Sequence, residues 1–243
     1  MVANWKNFEM VTRLLFILFI LVWAQSTAAE QQLTRVGYAR SIENDRLLYT
    51  EYHHEVVSDD TVVESKVIYK DETGTAFAEK HVNFRMNPYL PEFSLINTVS
   101  GHRESTQYVG DKYEVQFLER AGESLREKPM EYPLDGIGDA GFDNFIINHW
   151  DDIVSGSKFT RDFLIPGMLR FFKFRIYQQK IVEYSDHKLR ILHIEPANFL
   201  LRSVAGTSKL YYDFDKPVLR KFEGISNMRD RKGDNYRVII SYL

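Results

Sequence analysis

The sequence predicts a mainly antiparallel β domain of about ten to twelve strands, with one helix near its middle and a shorter helix later in the chain. Three observations support this fold class. Aromatic residues are abundant, with 14 Tyr and 17 Phe. Apolar residues recur at every second position over most of the chain, which is the period of a half-buried strand. Turn sequences such as "DETG", residues 71–74, separate the alternating segments.

The first strands follow from alternation and turn chemistry. Residues 46–57, "RLLYTEYHHEVV", are rich in Tyr, Val and Leu and predict a strand. The next segment, 61–71, places apolar side chains on one face and charged ones on the other (Val63, Val67 and Tyr69 against Glu64, Lys66 and Lys70). Residues 75–84 return after the turn, so the two segments predict a hairpin. Three short strands are predicted between residues 93 and 120.

The segment of about 139–155 predicts the central helix. Its apolar and aromatic residues fall three and four positions apart and form one stripe (Phe142, Phe145, Ile146, His149, Trp150 and Ile153). Asp139 is suited to cap the start of this helix, and Gly156 is suited to end it. An apolar stripe must be buried, so we expect the helix to pack on the sheet.

Strands resume after the helix. Residues 158–165 predict one strand, and residues 169–184 and 188–195 predict a long hairpin that turns at 185–187. Residues of about 198–205, "NFLLRSVA", predict a short second helix that Asn198 caps. Three further strands, "SKLYYDF", "VLRKFEG" and "YRVIISYL", complete the prediction.

The stretch "GIGDAG", residues 136–141, has the spacing G-x-G-x-x-G of a dinucleotide-binding turn. Such a turn needs a buried strand before its glycines, whereas "KPMEYPLD" contains two prolines and predicts a loop. Asp162, at the distance of the ribose-binding acid, lies inside a predicted strand rather than at its end. We therefore predict no cofactor, and interpret the three glycines as a flexible entry to the helix.

The N-terminal segment predicts export. Lys6 and Arg13 precede the apolar run 14–24, "LLFILFILVWA", and small residues follow up to Ala29. This is the pattern of a secretory signal peptide, so we predict cleavage after Ala29 and a single domain of residues 30–243. A retained signal anchor is the alternative. The protein has no Cys, so it is expected to be neither a lipoprotein nor disulfide-bonded, and the bacterial periplasm is the favoured location.

Charge argues against a nucleic-acid partner. Residues 30–243 contain 29 basic and 33 acidic residues in mixed order, without a basic stripe. The segment 170–180, "RFFKFRIYQQK", interleaves basic and aromatic residues, but Phe172, Phe174 and Ile176 share one face of a predicted strand. A half-buried strand with a solvated cationic face explains the pattern. A membrane surface or an envelope protein is the alternative partner of that cationic face.

Chemistry-bearing clusters are few. His149 and Asp152 share a helix face, and Asp143 lies two turns earlier, which is suitable for acid–base catalysis. No nucleophile motif accompanies them, so we predict no catalytic residue. His53 and His54 point to opposite faces of a strand and cannot chelate one ion together. We therefore predict no metal site.

The later part of the chain resembles a family group. Residues 198–227, "NFLLRSVAGTSKLYYDFDKPVLRKFEGISN", contain a hairpin similar to those of periplasmic proteins of the lipoprotein-carrier type and of exported β-rich proteobacterial relatives. The resemblance covers residues 198–243. It implies an antiparallel sheet curled into a half-barrel, with a helix over its apolar concave side. The lipid-binding positions of the carriers have no residue-by-residue match here, and the middle segment, 126–166, is longer than a minimal carrier needs.

These observations favour an exported binding or carrier-like protein for an apolar or lipid-type ligand. The predicted ligand-binding residues are aromatic or aliphatic and come from the helix and one strand (Phe142, Phe145, Ile146, Trp150, Phe172 and Phe174). In this hypothesis the central helix is a lid, and residues 136–141 are its hinge. The alternatives are an envelope interaction protein with a filled core and, less favoured, a hydrolase.

Overall fold

The computed structural model describes residues 32–58, 61–185 and 187–243, and the predicted signal peptide lies outside them. Eight strands precede the helical segment: β1 (Gln32–Ser41), β2 (Leu47–Ser58), β3 (Thr61–Asp71), β4 (Ala76–Asn83), β5 (Glu92–Asn97), β6 (Arg103–Val109), β7 (Lys112–Leu118) and β8 (Arg126–Met130). Six follow it: β9 (Lys158–Ile165), β10 (Arg170–Glu183), β11 (Lys188–Pro196), β12 (Ser208–Asp213), β13 (Leu219–Arg229) and β14 (Asn235–Tyr242). The helices are α1 (Phe142–Asn148), α2 (Trp150–Val154) and α3 (Phe199–Ala205).

All fourteen strands belong to one antiparallel sheet, in the order β8-β7-β6-β5-β4-β3-β2-β1-β14-β13-β12-β11-β10-β9. Strands that are consecutive in the sequence are neighbours in the sheet, except for β8 and β9, which lie at its two ends. The first and last strands, β1 and β14, pair in its interior. The two halves of the chain therefore extend outward from this central pair. The predicted class, a mainly β fold with an antiparallel sheet, is confirmed.

Two strands of the sheet were not predicted. β1 carries Arg35, Gly37 and Arg40, which interrupt the apolar alternation. β8 contains Pro129, and four of its five residues are exposed. Proline cannot donate to a ladder and is tolerated at sheet edges, which is where β8 lies. A prediction that depends on alternating apolar residues therefore does not detect edge strands or strands rich in polar residues.

The sheet curls until its two ends meet by packing. Leu164 of β9 shares a buried cluster with Tyr113 and Val115 of β7 and with Met130 of β8. The end strands β8 and β9 have no ladder between them in the described part of the chain. The predicted curled, incompletely closed sheet is confirmed.

A single continuous helix was predicted at about 139–155, and this prediction is wrong because the segment forms a 3₁₀ turn and two short helices. A 3₁₀ turn, Asp139–Gly141, comes first, and the helix is then broken at His149, whose backbone angles are φ −116° and ψ 21°. The His149 ring contacts the Phe145 carbonyl through Nδ1 at 2.9 Å, so it competes for a helical acceptor. Asp139 does not cap the helix, because Gly141 occupies the N-cap position of α1.

The burial of the apolar stripe is confirmed. Phe145, Ile146 and Ile153 are fully buried against residues of β9 to β12. The short second helix is also confirmed, since Asn198 accepts hydrogen bonds from the backbone N–H groups of Leu200 and Leu201. In the described ranges, no helix combines the length and the hydropathy that a transmembrane span requires.

Backbone hydrogen bonds anchor the segment 136–141, an arrangement that does not favour the flexible hinge predicted for it. Ile137 forms a parallel bridge with β9, donating to Asp162 O at 2.8 Å and accepting from Leu164 N at 2.9 Å. The next residue, Gly138, donates to the carbonyl of Tyr89 at 2.8 Å. These bonds tie the entry of α1 to the free edge of β9 and to the loop before β5.

Candidate ligand-binding site

A cavity of about 390 Å³ lies between the sheet and the segment that contains α1. Strands β1 to β4, β13 and β14 contribute its walls. Much of the lining is apolar (Val62, Val67, Val82, Phe84, Phe142, Ile147, Val218, Leu219, Phe222, Ile225 and Ile240). Its volume falls within the range of small-molecule sites in proteins, which is about 300–1,000 Å³.

One group of charged and hydroxyl side chains enters the cavity from β1, β2, β14 and α1. We call it the Arg35 cluster; it comprises Arg35, Glu51, His53, Asp143 and Tyr242. Glu51 and His53 are two positions apart on β2, so they share the inner face. His53 Nε2 lies 3.0 Å from Glu51 Oε2, and the Tyr242 hydroxyl donates to the same oxygen at 3.3 Å. Glu51 and His53 are more than nine-tenths buried.

Arg35 connects this cluster to helix α1. Its guanidinium carbon lies 4.5 Å above the centre of the Tyr242 ring, and its Nη1 is 3.8 Å from Asp143 Oδ2. The hydroxyl of Tyr212 donates to Asp143 Oδ1 at 2.5 Å. Burial raises the pKa of Asp143, and the nearby Arg35 charge opposes this rise. Asp143 therefore joins the helix to two strands.

The Arg35 cluster depends on the absence of a side chain at Gly37. A Cβ atom at this position would lie 2.8 Å from Tyr242 Cε1 and 3.1 Å from Glu51 Oε2. Contacts this short displace the neighbouring groups. Glycine at position 37 of β1 therefore lets the tyrosine ring and the carboxylate meet.

A second polar group, the Lys80 cluster, comprises Lys80, Glu104, Asp139 and Asn227. Lys80 Nζ donates to Asp139 Oδ2 at 2.7 Å, and Asn227 Nδ2 donates to the same oxygen at 3.3 Å. Burial lowers the pKa of Lys80, but the charge and hydrogen bond of Asp139, together with the charges of Glu104 and Glu51, raise it above its ordinary value. Burial raises the pKa of Glu104 to about 7, and the Lys80 charge only partly opposes this. Two ionisable clusters therefore adjoin one largely apolar cavity.

Glu104 predicts a pH dependence of stability. Its pKa in the folded chain, about 7, exceeds its ordinary value of 4.5, so the folded state retains the proton longer than the unfolded state. The stabilisation is complete below pH 4.5 and is lost as the pH rises through about 7. We expect Glu104→Gln to raise the free energy of unfolding by about 2 kcal/mol at pH 8 and to leave it nearly unchanged at pH 4.5. Urea unfolding at both pH values measures this.

The comparison must be made between variant and parent. His102 Nε2 lies 3.8 Å from Glu104 Oε2, and burial lowers the pKa of His102, which gives the opposite pH trend. Subtracting the parent profile largely removes this histidine contribution, because His102 is present in both proteins. Glu127→Gln on the exposed edge strand β8 is the matched control. An unchanged difference between Glu104→Gln and the parent across this pH range would contradict the assignment.

The six predicted ligand-binding residues lie at different depths. Phe142 lines the cavity. Phe145 and Ile146 are fully buried in the core beneath the helices, and Trp150 packs on the Tyr212 ring at 5.6 Å. On β10, Phe174 packs on Phe163 at 4.9 Å, and Phe172 lies under the Arg170 guanidinium at 5.4 Å. The structure thus brings Phe142, Phe145, Ile146, Trp150 and Phe174 to one apolar cluster, with Phe172 outside it.

The sequence prediction missed the charged residues that the strands contribute to the cavity. Glu51 and His53 carried a usable signal, because a carboxylate and a histidine two positions apart face the same side of a strand. Arg35 carried none, because its strand was not predicted. Lys80 resembles any charged residue of an alternating strand, and only the packing of the helical segment shows that it is buried.

The structure does not bring the predicted acid–base residues together. The His149 ring stacks on Phe145 with 4.2 Å between centroids, Asp143 is bonded to Tyr212, and Asp152 is exposed. Among residues 32–58, 61–185 and 187–243, no group of three or more His, Asp or Glu side chains converges to hold a metal ion.

Comparisons with known proteins give a likeness of shape only. The chain matches no protein-family model, and no curated protein sequence matches it significantly. It is similar to the structure of a β-barrel-like protein of the domain of unknown function DUF1849 from Brucella abortus, with a TM-score of 0.48 and 7% identity. The match covers 87% of this chain and 99% of that one. This match says nothing about the function of the chain. The resemblance of residues 198–243 to lipoprotein carriers stays a prediction.

Proposed function

We propose that this chain is an exported binding protein for a small amphipathic ligand. The apolar part of the ligand packs on the walls formed by β3, β4, β13 and α1, and its polar end meets the Arg35 cluster. The observation that supports this proposal is the cavity itself, in which an apolar volume of ligand size adjoins buried charged side chains. Export rests on the predicted signal peptide.

The energetics of the Arg35 cluster support a binding role. Glu51 is buried, and the side chains of Arg35 and Asp143 are only 26% and 28% exposed. Holding these charges away from water costs desolvation energy that a purely structural core avoids by using apolar residues.

An apolar rim provides a route into the cavity. Ile147 of α1, Val218 of the β12–β13 turn and Ile225 of β13 all line the cavity, and they are 42%, 39% and 44% exposed. Partly exposed aliphatic residues around an apolar volume favour transfer of an apolar chain from outside. Entry here requires no hinge at residues 136–141.

The binding of N-phenyl-1-naphthylamine, an uncharged apolar fluorophore, tests the proposal. We expect its emission to rise with the exported protein. Ser65 on β3 lines the cavity, so Ser65→Phe fills part of it and should weaken binding about ten-fold. The control is Glu64→Phe, which adds the same ring at the neighbouring exposed position on the opposite face of β3. Glu64→Phe should leave binding unchanged.

Mass spectrometry of molecules that co-purify with the exported protein provides an independent measurement. A bound amphiphile supports the proposal. The proposal is rejected if the protein carries no ligand and if the fluorophore binds parent and Ser65→Phe equally or not at all.

One observation favours a second candidate function, an envelope interaction protein. Phe199 and Leu200 of α3 are each 72% exposed. Exposed large apolar residues on one short helix are suited to contact a protein or membrane surface. This candidate replaces the first if the cavity fails both binding tests.

A further inference from the structure

The charged residues that line the cavity are predominantly acidic. The described lining contains four carboxylates and two permanent cations (Glu51, Glu55, Asp139 and Asp143 against Arg35 and Lys80). Their net charge is −2 with His53 neutral and −1 with His53 protonated. The cavity therefore presents negative charge in either state of the histidine.

Both cations are already neutralised by residues of the chain. Lys80 Nζ is 2.7 Å from an oxygen of Asp139. Arg35 lies beside Asp143 at 3.8 Å, and the charges of Glu51 and Glu55 also act on it. A carboxylate or phosphate entering the cavity would have to compete with these acids for Arg35 and Lys80.

Glu55 is the lining carboxylate that the chain neutralises least, because its charge acts on Arg35 without forming an ion pair with it. It is half-buried on β2, four positions from Glu51, and lines the cavity. The hydrogen bonds and ion pairs of the described residues include none that involves the Glu55 side chain. Its charge is therefore available to a ligand, while Glu51 already accepts from Tyr242 and contacts His53.

We infer that the polar end of the ligand is an ammonium group that pairs with Glu55, on the same face of β2 as Glu51 of the Arg35 cluster, so that the ligand class is the amphiphilic amines. The inference rests on the proposed function, because it concerns the same cavity. Attraction between an ammonium and a carboxylate is stronger in a partly buried site than in water. The same geometry repels fatty-acid carboxylates and other anionic amphiphiles.

Displacement of N-phenyl-1-naphthylamine by ligands of equal chain length tests the ligand class. Decylamine, decanol and decanoate differ only in their polar ends, and ethylamine keeps the ammonium without the apolar chain. We expect decylamine to displace the fluorophore at about ten-fold lower concentration than decanol. Decanoate should be the weakest of the three, and ethylamine should not displace.

Glu55→Gln tests whether Glu55 is the carboxylate that binds the ammonium group. Because the Glu55 side chain makes no hydrogen bond or ion pair with described residues, this substitution should not impair folding. We expect the decylamine advantage over decanol to fall about ten-fold, with decanol itself unaffected. The control Glu64→Gln, at an exposed position on β3, should change neither the decylamine advantage over decanol nor the affinity for decanol.

The outcomes separate this inference from the proposed function. Decanoate that binds as well as decylamine, or a decylamine affinity that is unchanged by Glu55→Gln, overturns the amine class and leaves the binding function standing. If ethylamine displaces the fluorophore as effectively as decylamine does, the ligand does not need an apolar chain, and the assignment to amphiphilic amines is rejected. Absence of fluorophore binding rejects the proposed function, and the amine class with it.

Discussion

Gly141→Ala is expected to destabilise the protein by about 3 kcal/mol or more. A Cβ atom at this position would lie 2.0 Å from the carbonyl oxygen and 2.4 Å from the carbonyl carbon of Tyr89. These are backbone atoms, and that carbonyl also accepts the hydrogen bond of Gly138. Relief of the clash would therefore separate the entry of α1 from the loop before β5. Urea unfolding followed by Trp150 fluorescence measures the loss.

Gly138→Ala is the matched control. A Cβ atom there would meet its nearest neighbour, Leu90 Cδ1, at an ordinary distance of 3.6 Å, and the backbone angles of φ −104° and ψ 165° suit any residue. We expect its effect to stay below about 1 kcal/mol. Equal stability changes in the two variants would contradict the packing described for Gly141.

Phe145→Ala is expected to lower the free energy of unfolding by about 3–5 kcal/mol. The ring is 1% exposed and meets Tyr89 edge-on at 5.5 Å, Phe159 edge-on at 5.3 Å and His149 face-on at 4.2 Å. Its loss would leave a cavity under α1 and remove the surface on which the His149 ring stacks. The midpoint of urea unfolding should fall without a change in slope.

Ile147→Ala on the same helix is the control for Phe145→Ala. Ile147 is 42% exposed and lines the candidate ligand cavity, so its truncation should cost about 1 kcal/mol or less. If Ile147→Ala proved as damaging as Phe145→Ala, the helix would not have the buried and cavity-lining sides described.

Strands were predictable where apolar and charged side chains alternate, because this alternation reflects which side chains are buried. In β3, buried Val67 and Tyr69 alternate with more exposed charged residues, and the predicted strand bounds match those observed. Helix α3 followed from its capping residue Asn198. The break at His149 was not predictable, because it depends on a ring contact with the Phe145 carbonyl that leaves the apolar spacing intact.

The site was less predictable than the fold. Aromatic content directed the prediction to Phe145 and Phe174, which fill the core. The cavity walls combine strands from both halves of the sheet, and their contact depends on the central pairing of β1 with β14. The sequence also does not show why a glycine is needed at a given position. Gly141, predicted to be part of a hinge, instead allows a close approach to the Tyr89 backbone. Gly37, for which the sequence predicted no role, makes room for the Tyr242–Glu51 contact.

The β1–β14 pairing also sets an order of events in folding. Each half of the sheet, β1 to β8 and β9 to β14, consists of sequence-adjacent hairpins and can begin to form from local contacts. Closing the loop between β1 and β14 joins residues such as Gly37 and Tyr242 and carries a large entropic cost. Arg35 on β1 and Tyr242 on β14 stack only when these strands pair, so we expect the Arg35 cluster to form late. If the chain is exported as proposed, it would expose two unjoined half-sheets with four free edges until β14 emerged. We expect aggregation or a chaperone to compete with folding during this interval.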